Sequence, residues 1–217
     1  MNKQHQKLCV YCQSQFGTTD DHVPPAMLFP EPRPSGLITV PACGICNAGF
    51  QKDEEFLRGL SRYLQQSPSE ATSQLWSKID RMLARSPGLN SVIGDSIEST
   101  NLLAPNGSHV GKHLTVEKNW QRVVVVMGKI VRGLYFFEFG EALPLSAHIN
   151  CPDYHTADFN LSELYGRTKD GKRSWPRIFE YKFSRKEDEY EESVWLLRFY
   201  DSHLYIVFTS RNRKQHI

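Results

Sequence analysis

The chain lacks three things: a long apolar run, a surplus of charge, and abundant cysteine. Apolar runs such as Val123 to Met127 are far too short to cross a bilayer, so no membrane partner is expected. Lys and Arg number 26 against 24 Asp and Glu, a formal net charge of +2. A chain-wide basic surface is thereby excluded, and contact with nucleic acid would need a local patch. The opening residues, MNKQHQKLCVYC, hold no apolar leader, so a secretory signal is not expected and a cytoplasmic protein is. In that compartment paired cysteines bind metal more often than they form disulfides.

What is there starts with those cysteines. Four of the five form two pairs of equal internal spacing, Cys9/Cys12 and Cys43/Cys46, and Cys151 stands alone as a buried apolar residue. Two such knuckles supply the four thiolates of a structural zinc site, Cys9, Cys12, Cys43 and Cys46. A redox-active pair is the alternative, and it predicts reversible oxidation without zinc. Residues 9–50 carry Pro24, Pro25, Pro30, Pro32, Pro34 and Pro41 with Gly17, Gly36, Gly44 and Gly49, which exclude long regular elements. Such a segment buries little apolar surface and needs a staple. Leu37 to Val40 reads as a short strand leading into the second pair.

Between the knuckles lies Asp20-Asp21-His22-Val23-Pro24-Pro25, and Asn47 follows the second pair directly. Hydrolysis of a phosphodiester needs a base for water and a hard cation for the charge that builds on phosphate. Neighbouring strand residues face opposite ways, which divides the roles. Asp21 would hold Mg²⁺ or another divalent cation, His22 would face the attacking water, and Asn47 would give a second oxygen ligand. Taken singly, His22 reads as a turn residue and Asn47 as a helix N-cap.

Cys9-x2-Cys12, Asp21-His22-Val23-Pro24 and Val40-Pro41-Ala42-Cys43-x2-Cys46-Asn47 together resemble the HNH endonuclease family. The resemblance covers residues 7–60. It implies a ββα-metal fold of two strands and a helix around one divalent cation, braced by the four-cysteine zinc. His22 would be the general base, Asp21 and Asn47 the ligands, and Lys52 the lysine that often follows the Cys-Asn. The chain departs from the family at Ser35-Gly36-Leu37-Ile38, where no Asn stands, and at Gln51, where some members have a further His ligand.

A helix is expected from near Asn47 to about Gln65, with Asn47 as its N-cap, and a second over Ser69 to Ala84. Residues 86–115 read as a linker with room for a short helix. From Glu117 to Phe139, four consecutive valines favour a strand, but Trp120, Val123, Met127, Ile130 and Leu134 recur at helical spacing. Length favours a long buried helix. Leu145–Asn150, Arg177–Ser184, Val194–Tyr200 and His203–Ser210 read as strands, the last two joined at Asp201-Ser202. Arg132-Gly133 marks a place where another element packs close.

The expected fold class is α+β: an N-terminal zinc-braced ββα-metal module, then helices, then a C-terminal antiparallel β-rich region. Three parts are expected: an HNH-like module over 1–66, a helical linker region over 67–109, and an α+β domain over 110–217. The last would serve recognition or partner binding. Lys52, Lys172, Arg173 and Arg177, with Tyr165 and Trp175 interleaved, are the candidate nucleic-acid contacts, with Arg211, Arg213 and Lys214 at the tail. The expected function is phosphodiester hydrolysis by a metal-dependent HNH endonuclease, with DNA as substrate. A protein partner or a second copy is compatible with it. The alternative is a non-catalytic zinc-binding module that recognises nucleic acid or protein through a degenerate HNH site.

Overall fold

The computed structural model describes residues 7–65, 70–103, 105–116, 118–152 and 159–211. Arg213 and Lys214 lie outside them. Helices and sheets are mixed in an α+β chain. Strand β1 (Thr19–His22) pairs antiparallel with β2 (Thr39–Ala42), setting Asp21 opposite Val40 and His22 opposite Thr39. Helices α1 (Gly44–Gly49) and α2 (Gln51–Leu64) follow.

The first helix begins three residues before the expected Asn47. Cys43 is the N-cap, because its Sγ accepts the backbone N–H of Cys46 at 3.4 Å. The thiolate knuckle thus does the work a Ser or Asp side chain does elsewhere, and Asn47 sits inside the helix. Phe50 breaks the helix in two.

Helix α3 (Glu70–Arg85) falls where its apolar spacing places it. The stretch read as a linker holds helix α4 (Pro87–Gly94) and a hairpin of β3 (Ile97–Leu103) with β4 (His109–Val116). That hairpin crosses the boundary expected at residue 109. In sequence these stretches alternate weakly between apolar and polar, and among the described residues the two strands pair only with each other, which leaves little periodicity to detect.

Helix α5 (Trp120–Phe139) replaces the strand that the valines suggest. Val123, Val126, Met127, Ile130, Val131 and Leu134 are all fully buried. A helix apolar on most sides must be covered on most sides, and this one is. After it come β5 (Ala147–Asn150), α6 (Leu161–Arg167), β6 (Lys169–Asp170), β7 (Phe179–Arg185), β8 (Ser193–Phe199) and β9 (His203–Arg211). The last five strands make one antiparallel sheet in the order β5-β9-β8-β7-β6. The β8–β9 turn is centred on Tyr200 and Asp201, both at positive φ, one residue earlier than expected.

Helix α5 is the spine that joins this sheet to the N-terminal segment. Tyr135 and Phe139 on one side meet Trp195 and Phe183 of the sheet. On another side, Gly133 faces Val23, the residue after His22. A Cβ on Gly133 would stand 2.4 Å from Val23 Cγ2 and 2.9 Å from its Cγ1. Gly133→Ala is therefore expected to push Val23 outward and lower stability by about 1–3 kcal/mol. Gly94→Ala, into open space, is the control in the same thermal melts. Equal melting of the two variants would refute the close approach.

One buried apolar cluster runs from Cys9 and Val10 through α2, α3 and α5 to Val207. The N-terminal segment is thus packed on the rest of the chain rather than tethered to it.

Candidate metal centre and the buried ion cluster behind it

The sulfurs of Cys9, Cys12, Cys43 and Cys46 lie within 4.8 Å of one another. Cys12 Sγ and Cys43 Sγ are 3.9 Å apart, and none of the five cysteines is in a disulfide. Thiolates bound tetrahedrally at Zn–S distances near 2.3 Å stand ~3.8 Å apart, so the four sulfurs could hold a metal ion such as zinc. The knuckles are built from backbone. The N–H of Gln13, at positive φ, returns to the Cys9 carbonyl at 2.9 Å, and the Val10 N–H reaches the Pro41 carbonyl of β2 at 2.9 Å. Hydrogen bonds from Ser14, side chain and backbone, and from the Gln15 backbone bring the Cys12 thiol down to about 6. Burial pushes the Cys46 thiol up, and the neighbouring thiols add to it. Crowded thiols of this kind are relieved when a soft cation takes the protons' place.

The hairpin β1–β2 divides its side chains as strand geometry requires. Asp21 is buried and His22 is half-buried, and they lie on opposite faces. Among the described residues the His22 imidazole makes no hydrogen bond or ion pair. Asn47 donates through Nδ2 to Thr19 Oγ1 at 3.2 Å, and that hydroxyl donates to the Ala42 carbonyl at 2.9 Å. Asn47 therefore ties α1 to the hairpin, a structural use that sequence alone did not suggest.

Asp21 has partners far along the chain. Tyr11 Oη donates to its Oδ2 at 2.7 Å. Lys129 Nζ, from the middle of α5, lies 3.0 Å from Oδ1 and 2.8 Å from Oδ2. The same ammonium donates to Glu54 of α2. Lys129 is 2 % exposed, Asp21 6 % and Glu54 7 %. Burying a lone charge costs several kcal/mol; here one ammonium lies against both carboxyl groups, and the Tyr11 hydroxyl adds a hydrogen bond to Asp21. The Phe50 ring adds a face 5.4 Å from the ammonium and meets Tyr11 edge-on at 5.1 Å. Burial raises the Tyr11 phenol well above its ordinary value, with Asp21 adding to the shift, so Tyr11 remains a donor. Burial likewise raises the Glu54 carboxyl, against the pull of Lys129.

Asp21, as placed, does not fit a divalent cation, because a buried ammonium already contacts both oxygens of its carboxylate. Among the described residues the Asn47 side chain is engaged through its Nδ2 alone. Asp20, Asp21, His22 and Glu54 form no second cluster. Among the described residues the four cysteines are the only group of three or more Cys, His, Asp or Glu side chains close enough for an ion.

Of the expected nucleic-acid contacts, Lys52, Lys172, Arg173 and Arg177 are all exposed. Lys172 is also tied to the fold, its Nζ donating to the Glu138 carbonyl at 2.5 Å and its backbone N–H to Glu138 Oε1 at 2.8 Å. Arg173 donates to the Gly36 carbonyl at 2.8 Å and pins the loop between β1 and β2. Trp175 is buried edge-on against Phe29, so it offers no face to a base.

Tyr11, Glu54 and Lys129 were not anticipated from the sequence. One signal was available for Lys129: a lone cation in the run Val123 to Val131, on a helix too apolar to leave it in water. No family model, no curated protein and no solved structure matches the chain.

Proposed function

We propose that the chain is a zinc-braced, HNH-type hydrolase of nucleic-acid phosphodiesters, with DNA as substrate and His22 as general base. The observation that carries this reading is the setting of His22. It sits on a strand paired with the strand that enters the second cysteine pair, and its imidazole has no partner among the described residues. Its nitrogen would take a proton from water as the water oxygen attacks phosphorus. The bond from phosphorus to the leaving sugar oxygen breaks, and solvent protonates that oxygen. The Mg²⁺ or other divalent cation of the resemblance has no step here, because Lys129 already holds Asp21. Modest support for a polyanionic substrate comes from a cleft lined by Arg167, Lys169 and Arg185 beside Phe139 and Phe183; Glu187 lines it too, and Arg167 and Arg185 pair with Glu163 and Glu141. Arg185 is held there over the Phe139 ring at 3.7 Å.

A second reading is favoured by the Asp21–Lys129 pair: a non-catalytic zinc-binding module that recognises nucleic acid or protein. Plasmid nicking separates the two, run with and without added Mg²⁺ or Mn²⁺ and at matched zinc content. Loss of a general base costs about 10²–10⁴-fold, so His22→Ala should fall at least that far below wild type. No cleavage by wild type under any condition would sink the nuclease reading in favour of the second.

A further inference from the structure

Behind the hairpin, the described residues hold a buried ion cluster apart from the cysteines. Four elements contribute to it: the first knuckle through Tyr11, β1 through Asp21, α2 through Glu54 and α5 through Lys129. Two carboxylates converge on one ammonium, which contacts both oxygens of Asp21 and one of Glu54. The Lys129 side chain is buried along its length, with the ammonium held between Asp21, Glu54 and the Phe50 ring.

We propose that Lys129 is the fixed counter-ion of Asp21, standing where a hairpin of this type would carry a divalent cation, so that the site takes such a cation only when the ammonium is removed. The meaning of this rests on the HNH-type reading, but its measurement does not. Carboxylates that share one ammonium hydrogen-bond partner are near enough to share a metal ion, whose oxygen ligands stand at about 2.0–2.6 Å. With Lys129 in place, an incoming dication meets a buried like charge a few ångströms away, and the Asp21 carboxylate is already neutralised. With Lys129 cut back to alanine, two carboxylates face a vacated volume with nothing to balance them.

The test is Mn²⁺ titration of the zinc-loaded full chain, read as loss of the free-Mn²⁺ resonance signal. Wild type and Asp21→Asn are expected to bind Mn²⁺ equally poorly at submillimolar concentration. Lys129→Ala should gain a site about tenfold tighter or more, and Lys129→Ala with Asp21→Asn should lose it again. A wild-type site that disappears in Asp21→Asn overturns the proposal. So does a Lys129→Ala chain that keeps its zinc and its circular dichroism but gains no site. If Lys129→Ala does not fold, Lys129→Ser with and without Asp21→Asn carries the same comparison, and a folded Lys129→Ser that gains no site overturns the proposal. Failure of the nuclease reading would appear as absent cleavage, a separate readout from Mn²⁺ binding.

Discussion

Cys43→Ser is expected to abolish metal binding and unfold the N-terminal segment. Cys43 has two jobs. Its sulfur belongs to the four-sulfur cluster, and it caps α1 through the Cys46 N–H. Serine can cap the helix but is a poor zinc ligand, so the substitution isolates the first job. The segment it staples is proline-rich, and its regular elements before α2 are two four-residue strands, a short turn and a six-residue helix. For structural zinc in small modules, binding contributes an apparent 10–16 kcal/mol, roughly the whole stability of such a unit. Metal analysis should fall from one zinc per chain to none, and circular dichroism should show an early loss of structure. Cys151→Ser, outside the cluster, should keep its zinc. Full zinc content in Cys43→Ser would refute the metal centre.

Lys129→Met should lower stability by about 3–5 kcal/mol, the usual cost of removing one partner from a buried ion pair. Methionine fills most of the lysine stem, so packing changes little and the loss is electrostatic. Asp21 and Glu54 are left as two buried carboxylates, and Tyr11 can stabilise only the first. Adding Asp21→Asn and Glu54→Gln to Lys129→Met removes both charges and should restore most of the loss, since a neutral cluster has little to desolvate. Urea denaturation of the single and triple variants reads both effects. A single variant within about 0.5 kcal/mol of wild type would mean that the cluster does not hold the N-terminal segment to α5.

Much of this protein is local in origin. Equal spacing within Cys9/Cys12 and Cys43/Cys46 announces the cluster, and the sulfurs do gather. Periodicity over twenty residues outweighs the β-propensity of four valines in α5. Strand alternation in Thr19–His22 puts Asp21 and His22 on opposite faces, and the close approach at Gly133 is signalled by the glycine itself.

The partner of Asp21 was not legible in the same way. Lys129 is 108 residues away and Glu54 lies 75 residues from that lysine. Which oppositely charged groups share a buried site depends on how α5 crosses the hairpin and α2, and no spacing in the chain encodes that crossing. The N-cap at Cys43 is hidden in the sequence, because a cysteine that caps a helix through sulfur looks the same there as one that only binds metal. Lys172 and Arg173 are surface cations, as composition suggests, but composition cannot say that they also bond the Glu138 and Gly36 carbonyls. Residue type and period, which act over a few residues, were enough for the elements and the sulfur cluster. The charge state of the hairpin, and with it the chemistry open to Asp21, was left to contacts that exist only once α5 is packed between the two halves of the chain.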